Sequence, residues 1–171
     1  MTSDALWYEA AQVVGITNAL NVAADGLGAL GLVDEATAPP EARALFAEIR
    51  AFYGGREEVP PGFRVMTHDP AYAADVWAAA RHAYADNRLG RRVKEALAFA
   101  VSVTTRSASG AAFHLSEMRR LGVTQRGVME IAGVTQMFSS YTKIADTLQL
   151  EPDMGDIAPA DPTPAPGGPA T

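Results

Sequence analysis

The stretch Arg91-Arg-Val-Lys-Glu95-Ala-Leu-Ala-Phe-Ala-Val-Ser-Val-Thr104, then Thr105-Arg106, then Ser107-Ala-Ser-Gly110-Ala-Ala-Phe-His114, decides how this chain folds and where its chemistry lies. As one continuous helix it would hold Glu95 and Ser107 roughly twelve steps of about 1.5 Å apart, about 18 Å in all, too far to cooperate. A break in the polar run Thr104 to Ser107 removes the difficulty. A first helix over about 91 to 104 then packs antiparallel to a second over about 108 to 121, and Glu95 faces His114. Ser107, Gly110 and His114 fall at i, i+3 and i+7, which puts them on one side of the second helix. Ser107 stands at the helix start, where a hydroxyl caps free N–H groups and the positive helix end favours an anion. Gly110 is expected to leave space above that end. Glu95 is followed by the apolar run Ala96 to Val101, so its carboxylate needs a partner.

Outward from this stretch the chain reads as helix almost throughout. Candidate helices cover about 4 to 28, 39 to 53, 70 to 87, 91 to 104, 108 to 121 and 124 to 149, with a short turn near 61 to 68. Pro39-Pro40 before Glu41 opens one helix, Gly54-Gly55 closes it, and Gly122 with Thr124 separates the last two. The last helix spaces Val128, Ile131, Thr135, Phe138, Thr142, Ala145 and Leu148 by threes and fours. No stretch sustains strand alternation. Alanines such as Ala78 to Ala80 permit close helix packing, and Met66, Trp77 and Phe113 are candidates for core or for a pocket near His114.

With 171 residues and a hydrophobic fraction of 48%, the chain suits one compact domain with an appendage. The appendage is residues 151–171, which hold six of the 11 prolines and are expected to be disordered. Glu151, Asp153, Asp156 and Asp161 put −4 of the net charge of −6 there, leaving −2 for residues 1–150. No dense basic surface marks a nucleic-acid partner. No apolar run reaches membrane-spanning length, and Asp4, Glu9, Asn18, Asn21 and Asp25 interrupt the N-terminal apolar pattern, so no membrane partner and a cytoplasmic location are expected. His114-x-x-Glu117, with His68 and His82 elsewhere, offers no second paired motif, and neither metal nor cofactor is expected.

Leu89 to Ser102 containing Glu95, Ser107-x-x-Gly110-x-x-x-His114, and Leu121-Gly122-Val123-Thr124 resemble the carboxymuconolactone decarboxylase and alkylhydroperoxidase D-like family. The likeness runs from about Pro39 to Leu150, with Pro61 to Pro70 similar to the family's lead-in. It implies an all-α domain of about six to seven helices over residues 36–150, assembled as a homo-oligomer, trimer or hexamer, with sites near subunit interfaces. Residues 1–35 form an N-terminal helix that resembles the family's closing helix, since residues 13–27 can be laid on 134–148 at a constant offset. Such a helix fits descent from the second half of a tandem protein, retained for packing or subunit exchange.

In the family's peroxidases a glutamate precedes the first cysteine of a Cys-x-x-Cys pair by twelve residues, and a histidine follows the second by four. Glu95 and His114 match that proton relay, while Ser107 and Gly110 stand at the cysteine positions and Ser109 where some members carry a histidine. With no cysteine anywhere, the chain has neither the thiolate nor the resolving thiol that dithiol peroxide reduction requires. The decarboxylase branch also works without a cysteine pair but carries bulkier or charged residues at those two positions, so carboxymuconolactone is not the expected substrate.

The expectation is a cofactor-free lyase or isomerase (decarboxylase, isomerase or cyclase type) acting on a small organic metabolite. Glu95, His114 and Ser107 would be catalytic, and Ser109, Gly110 and Phe113 would bind the substrate. A non-catalytic binding or assembly protein is the alternative, and a partner subunit in peroxide or redox metabolism a second.

Overall fold

The computed structural model describes residues 4–150. The tail over 151–171 lies outside the described residues. Among those described, the regular structure is α-helical with one 3-10 turn: α1 (Asp4–Gly26), the turn Gly28–Leu30, α2 (Pro40–Phe52), α3 (Pro61–Met66), α4 (Pro70–Tyr84), α5 (Arg91–Thr104), α6 (Ala108–Arg120) and α7 (Gln125–Leu148). No strand occurs among them, and none of these helices is long and apolar enough to cross a membrane.

The boundaries follow local chemistry. Prolines occupy the first turn of α2, α3 and α4, where the missing N–H has no helical partner to lose. Asp69 caps α4 by accepting from the N–H groups of Ala71 and Tyr72, and Thr124 caps α7 by accepting from Gly127. α4 stops at Tyr84, three residues before the expected end. There the Lys94 ammonium, fully buried, donates to the carbonyls of Ala83 at 2.7 Å and Ala85 at 2.6 Å, and so satisfies the free C-terminal end of the helix.

The break between α5 and α6 is a tight reversal. Ser107 N–H bonds the Ser102 carbonyl at 2.9 Å and Arg106 N–H bonds that of Val103 at 3.2 Å, the paired bonds of a Schellman ending. Arg106 has φ 61°, the left-handed conformation usually left to glycine.

The core lies between α1 and the α2 to α5 layer. Phe46, Ile49, Tyr53, Phe63, Trp77 and Tyr84 fill it. Trp77 meets Phe52 and Phe63 edge-on at ring distances of 5.2 and 5.4 Å, an arrangement that favours aromatic pairs beyond simple burial. A smaller cluster of Phe99, Met118 and Val128 joins α5, α6 and the start of α7.

α1 packs on α3, α4, α5 and α6. Its buried positions, Glu9, Val13, Thr17 and Asn21, form a stripe at four-residue spacing that is polar at three places. Each polar residue is matched. Glu9 pairs with Lys94 at 2.5 Å, Thr17 Oγ1 and Tyr84 Oη lie 2.5 Å apart, and Asn21 bonds Ser102 and Thr105. α7 is the opposite case. Only Val128 is buried, and Val134, Met137, Phe138, Tyr141, Ile144 and Leu148 are exposed. The two helices with similar sequences both lie against α5, and an apolar groove of about 480 Å³ runs between α1, α5 and α7.

Replacing Arg106 by glycine relieves the left-handed strain and is expected to stabilise the fold by about 0.5–1 kcal/mol. Urea unfolding checks this as a higher midpoint with an unchanged slope.

Candidate active site

The antiparallel pair α5 and α6 brings Glu95 and His114 together. His114 Nδ1 and Glu95 Oε2 are 2.7 Å apart, with Glu95 fully buried and His114 5% exposed. A carboxylate only accepts, so Nδ1 donates to it, and in the neutral imidazole this tautomer leaves the lone pair on Nε2. Nε2 makes no hydrogen bond among the described residues and is not a buried unsatisfied atom, and His114 lines a small cavity. The dyad thus contributes its imidazole to the wall of that cavity.

Glu95 is held from its other side. One turn back on α5, Arg91 Nε donates to Glu95 Oε1 at 2.6 Å. The Arg91 guanidinium sits 4.4 Å from the Phe52 ring centroid and 4.8 Å from that of Tyr53, so aromatic faces share its charge. Its Nη2 has no hydrogen bond and lies 4.0 Å from Glu117 Oε2. Glu117 in turn accepts from Arg56 at 2.7 Å and from Arg120 at 2.7 Å. Burial alone would push the Glu117 carboxyl up, but the hydrogen bonds from Arg120 and Arg56 outweigh it and hold the group below the ordinary glutamate value.

The cavity measures about 40 Å³. That admits one or a few waters, or a single small polar group. Ser109, Gly110, Phe113 and His114 line it from α6, Tyr53 follows α2, and Asn21 comes from α1. Burial raises the Tyr53 phenol well above its usual value, with Glu95 adding to the effect, so it stays a neutral hydroxyl. Burial likewise raises Tyr84, whose ring lies 5.9 Å from that of His114.

Residues 70–150 match a family model, the carboxymuconolactone decarboxylase family. Over these residues the chain is similar to that family. The family segment therefore starts at α4 and contains the whole α5 and α6 site, while α1 to α3 precede it. The alkylhydroperoxidase AhpD core from Rhodospirillum rubrum has the same fold, with a TM-score of 0.66 and 24% identity over 72% of this chain and 93% of that one. No curated protein sequence matches the chain.

Within this family segment the expected site residues separate. His114, Ser109, Gly110 and Phe113 share the cavity wall. Glu95 is not among the lining residues and meets His114 through Nδ1. Ser107 is 1% exposed and off the cavity wall, and its Oγ accepts from Gly110 N–H as the N-cap of α6. The space expected over Gly110 is filled by Asn21. Trp77 and Met66 belong to the core.

His114, Glu117, His68 and His82 do not converge, since Glu117 faces arginines and His68 bonds the Gly31 carbonyl. No group of three His, Asp or Glu side chains able to hold a metal occurs among the described residues. Arg91, Asn21 and Tyr53 escaped the sequence reading. Only Arg91 left a signal there, an arginine four residues before a glutamate in an apolar helix.

The lowered Glu117 sets a pH dependence. A carboxyl whose folded value lies below its unfolded value contributes stability above the ordinary value of 4.5 and loses it as pH falls through the folded value. Glu117→Gln is expected to lower Tm at pH 7 and to flatten the loss of Tm below pH about 4.5. Thermal unfolding of both proteins between neutral and acid pH reads the difference.

Proposed function

We propose that this chain is a cofactor-free acid–base enzyme, of decarboxylase, isomerase or cyclase type, acting on a small organic metabolite. The observation that carries the reading is the buried Glu95 and His114 hydrogen bond, made by a histidine that lines a cavity. Nε2 takes a proton from a C–H or O–H acid and returns it at another atom or after loss of carbon dioxide. The imidazolium formed between these steps is stabilised by Glu95, whose own place is kept by Arg91.

Ser109 and Tyr53 supply neutral hydroxyls beside the developing oxyanion, and the first turn of α6 adds its partial positive charge. Thiol peroxidase chemistry has no group in this chain to perform it. The reading is tested with a panel of β-keto acids, lactones and cyclic enones, scored for carbon dioxide release or deuterium uptake from solvent. His114→Gln is expected to lower turnover at least about 100-fold with an unchanged circular dichroism spectrum. Wild-type turnover in that variant would reject the role of His114.

The cavity volume favours a second reading, a binding or assembly protein without turnover. Ligand sites for whole metabolites are commonly about 300–1,000 Å³, and this one is about 40 Å³. A ligand therefore inserts only a carbonyl or carboxyl end and keeps its body outside, or the site does not turn over at all.

The uncovered apolar face of α7, with the groove beside it, supports a homo-oligomer, a trimer or hexamer. Light scattering at micromolar concentration is expected to give a multiple of the chain mass, and Phe138→Glu to shift it toward the single chain. A wild-type monomer would contradict the assembly.

A further inference from the structure

Gly110 has no room for a side chain. A β-carbon built there would lie 2.7 Å from Ser102 Oγ, 3.2 Å from Asn21 Cγ and closer still to Asn21 Oδ1. Real β-carbons do not approach other atoms so closely, so the Ser102 hydroxyl would have to turn and Asn21 would have to move. Asn21 is not free to do so.

Asn21 is 4% exposed, and its Nδ2 donates to Ser102 Oγ at 3.1 Å and to Thr105 Oγ1 at 3.0 Å. Thr105 Oγ1 already donates to the Val101 carbonyl, so it must accept from the carboxamide, which fixes the amide nitrogen toward α5 and Oδ1 toward Gly110. The helix that carries Asn21 is also held from behind. A β-carbon on Gly62 of α3 would meet the Leu20 carbonyl and Ala24 Cβ, both at 3.4 Å, so α3 lies directly against α1. Glu9 and Thr17 anchor the same face of α1 through Lys94 and Tyr84.

We infer that Asn21 is a shape-determining residue of this site, a carboxamide delivered by α1 that takes the side-chain volume of position 110 on the cavity wall. Asn21 and Gly110 are both cavity-wall residues, so this exchange shapes the space beside His114. Position 110 is barred to every side chain by α1, an element that precedes the family segment, and not by α5 and α6 alone. Side chains at 107 and 110 therefore cannot react with each other while Asn21 is in place. The inference stands on the geometry of Gly110 and not on the acid–base reading, so either can fail alone.

Two experiments test it. In a stability cycle, Gly110→Ala is expected to lower Tm by several degrees or to prevent folding, and adding Asn21→Ala to recover at least half of that loss, although Asn21→Ala alone destabilises. Failure of Asn21→Ala to recover Tm or folding overturns the inference, as does a Gly110→Ala protein with wild-type Tm.

The second experiment uses the cysteine-free background. Ser107→Cys/Gly110→Cys places two thiols three residues apart at a helix start. With Asn21→Ala added, one equivalent of hydrogen peroxide is expected to remove both thiols. The two S–H groups give up two electrons and two protons, one S–S bond forms, the O–O bond breaks, and two waters leave. Without Asn21→Ala the thiol loss, counted with a thiol reagent in protein shown to be folded by circular dichroism, is expected to be at least tenfold slower. A double-cysteine protein that folds only when Asn21→Ala is added supports the inference equally. Equal rates with and without Asn21 overturn the inference.

Discussion

The rest of the structure depends on one buried chain of charge, Arg91 to Glu95 to His114. A carboxylate taken fully out of water is costly unless paired and hydrogen-bonded on each oxygen. Here both oxygens are used, Oε1 by Arg91 and Oε2 by His114. This demands that α6 run antiparallel to α5, because the histidine is on the other helix. The reversal must therefore be tight, and the backbone accepts a left-handed arginine at Arg106 to make it so. The arginine that neutralises Glu95 must itself be held, and Phe52, Tyr53 and Tyr84 supply ring faces where solvent is absent. The aromatic core is thus also the wall of an electrostatic site.

α1 follows from the same constraint one layer out. An ordinary surface helix buries an apolar stripe, yet α1 buries Glu9, Thr17 and Asn21 and exposes Trp7, Val14 and Val22. Its polar groups answer groups that α4 and α5 present: a buried ammonium, a buried phenol and a pair of hydroxyls. Burial would push the Glu9 carboxyl up, but Lys94 and the N–H groups of Leu89 and Arg88 bring it below its ordinary value. Without α1, Lys94 would keep only the two carbonyl oxygens at the end of α4.

Much of this was legible in the residues. The break at Thr104 to Ser107, the facing of Glu95 and His114, and the helix over 91 to 104 were readable because periodicity and capping are local properties. The spacing of α7 was readable as well, but whether a stripe is covered depends on what lies opposite, and from Val134 to Leu148 its large apolar side chains stay exposed. Ser107 shows the limit of a position. Its place at a helix start implied a hydroxyl over the site, whereas the cap turns that oxygen back to Gly110 N–H. Asn21 was illegible for a simpler reason: it is 89 residues from Gly110, and no local rule links a helix interior to a glycine on another helix.

The geometry also assigns the two halves of the dyad different work. Glu95 is enclosed and already spends one oxygen on Arg91, so exchanging a proton with a ligand would require opening the α5 and α6 contact. His114 needs no such movement, since it already lines the cavity. On the proposed acid–base reading, proton transfer would be concentrated on His114, with the carboxylate setting its tautomer and the arginine keeping the carboxylate in place. A site built this way does not need a second titrating group on its wall. Tyr53 is held neutral by burial, and Ser109 and Asn21 offer only hydrogen bonds. On that reading, what distinguishes one ligand from another would fall to shape, to which the Asn21 carboxamide over Gly110 contributes.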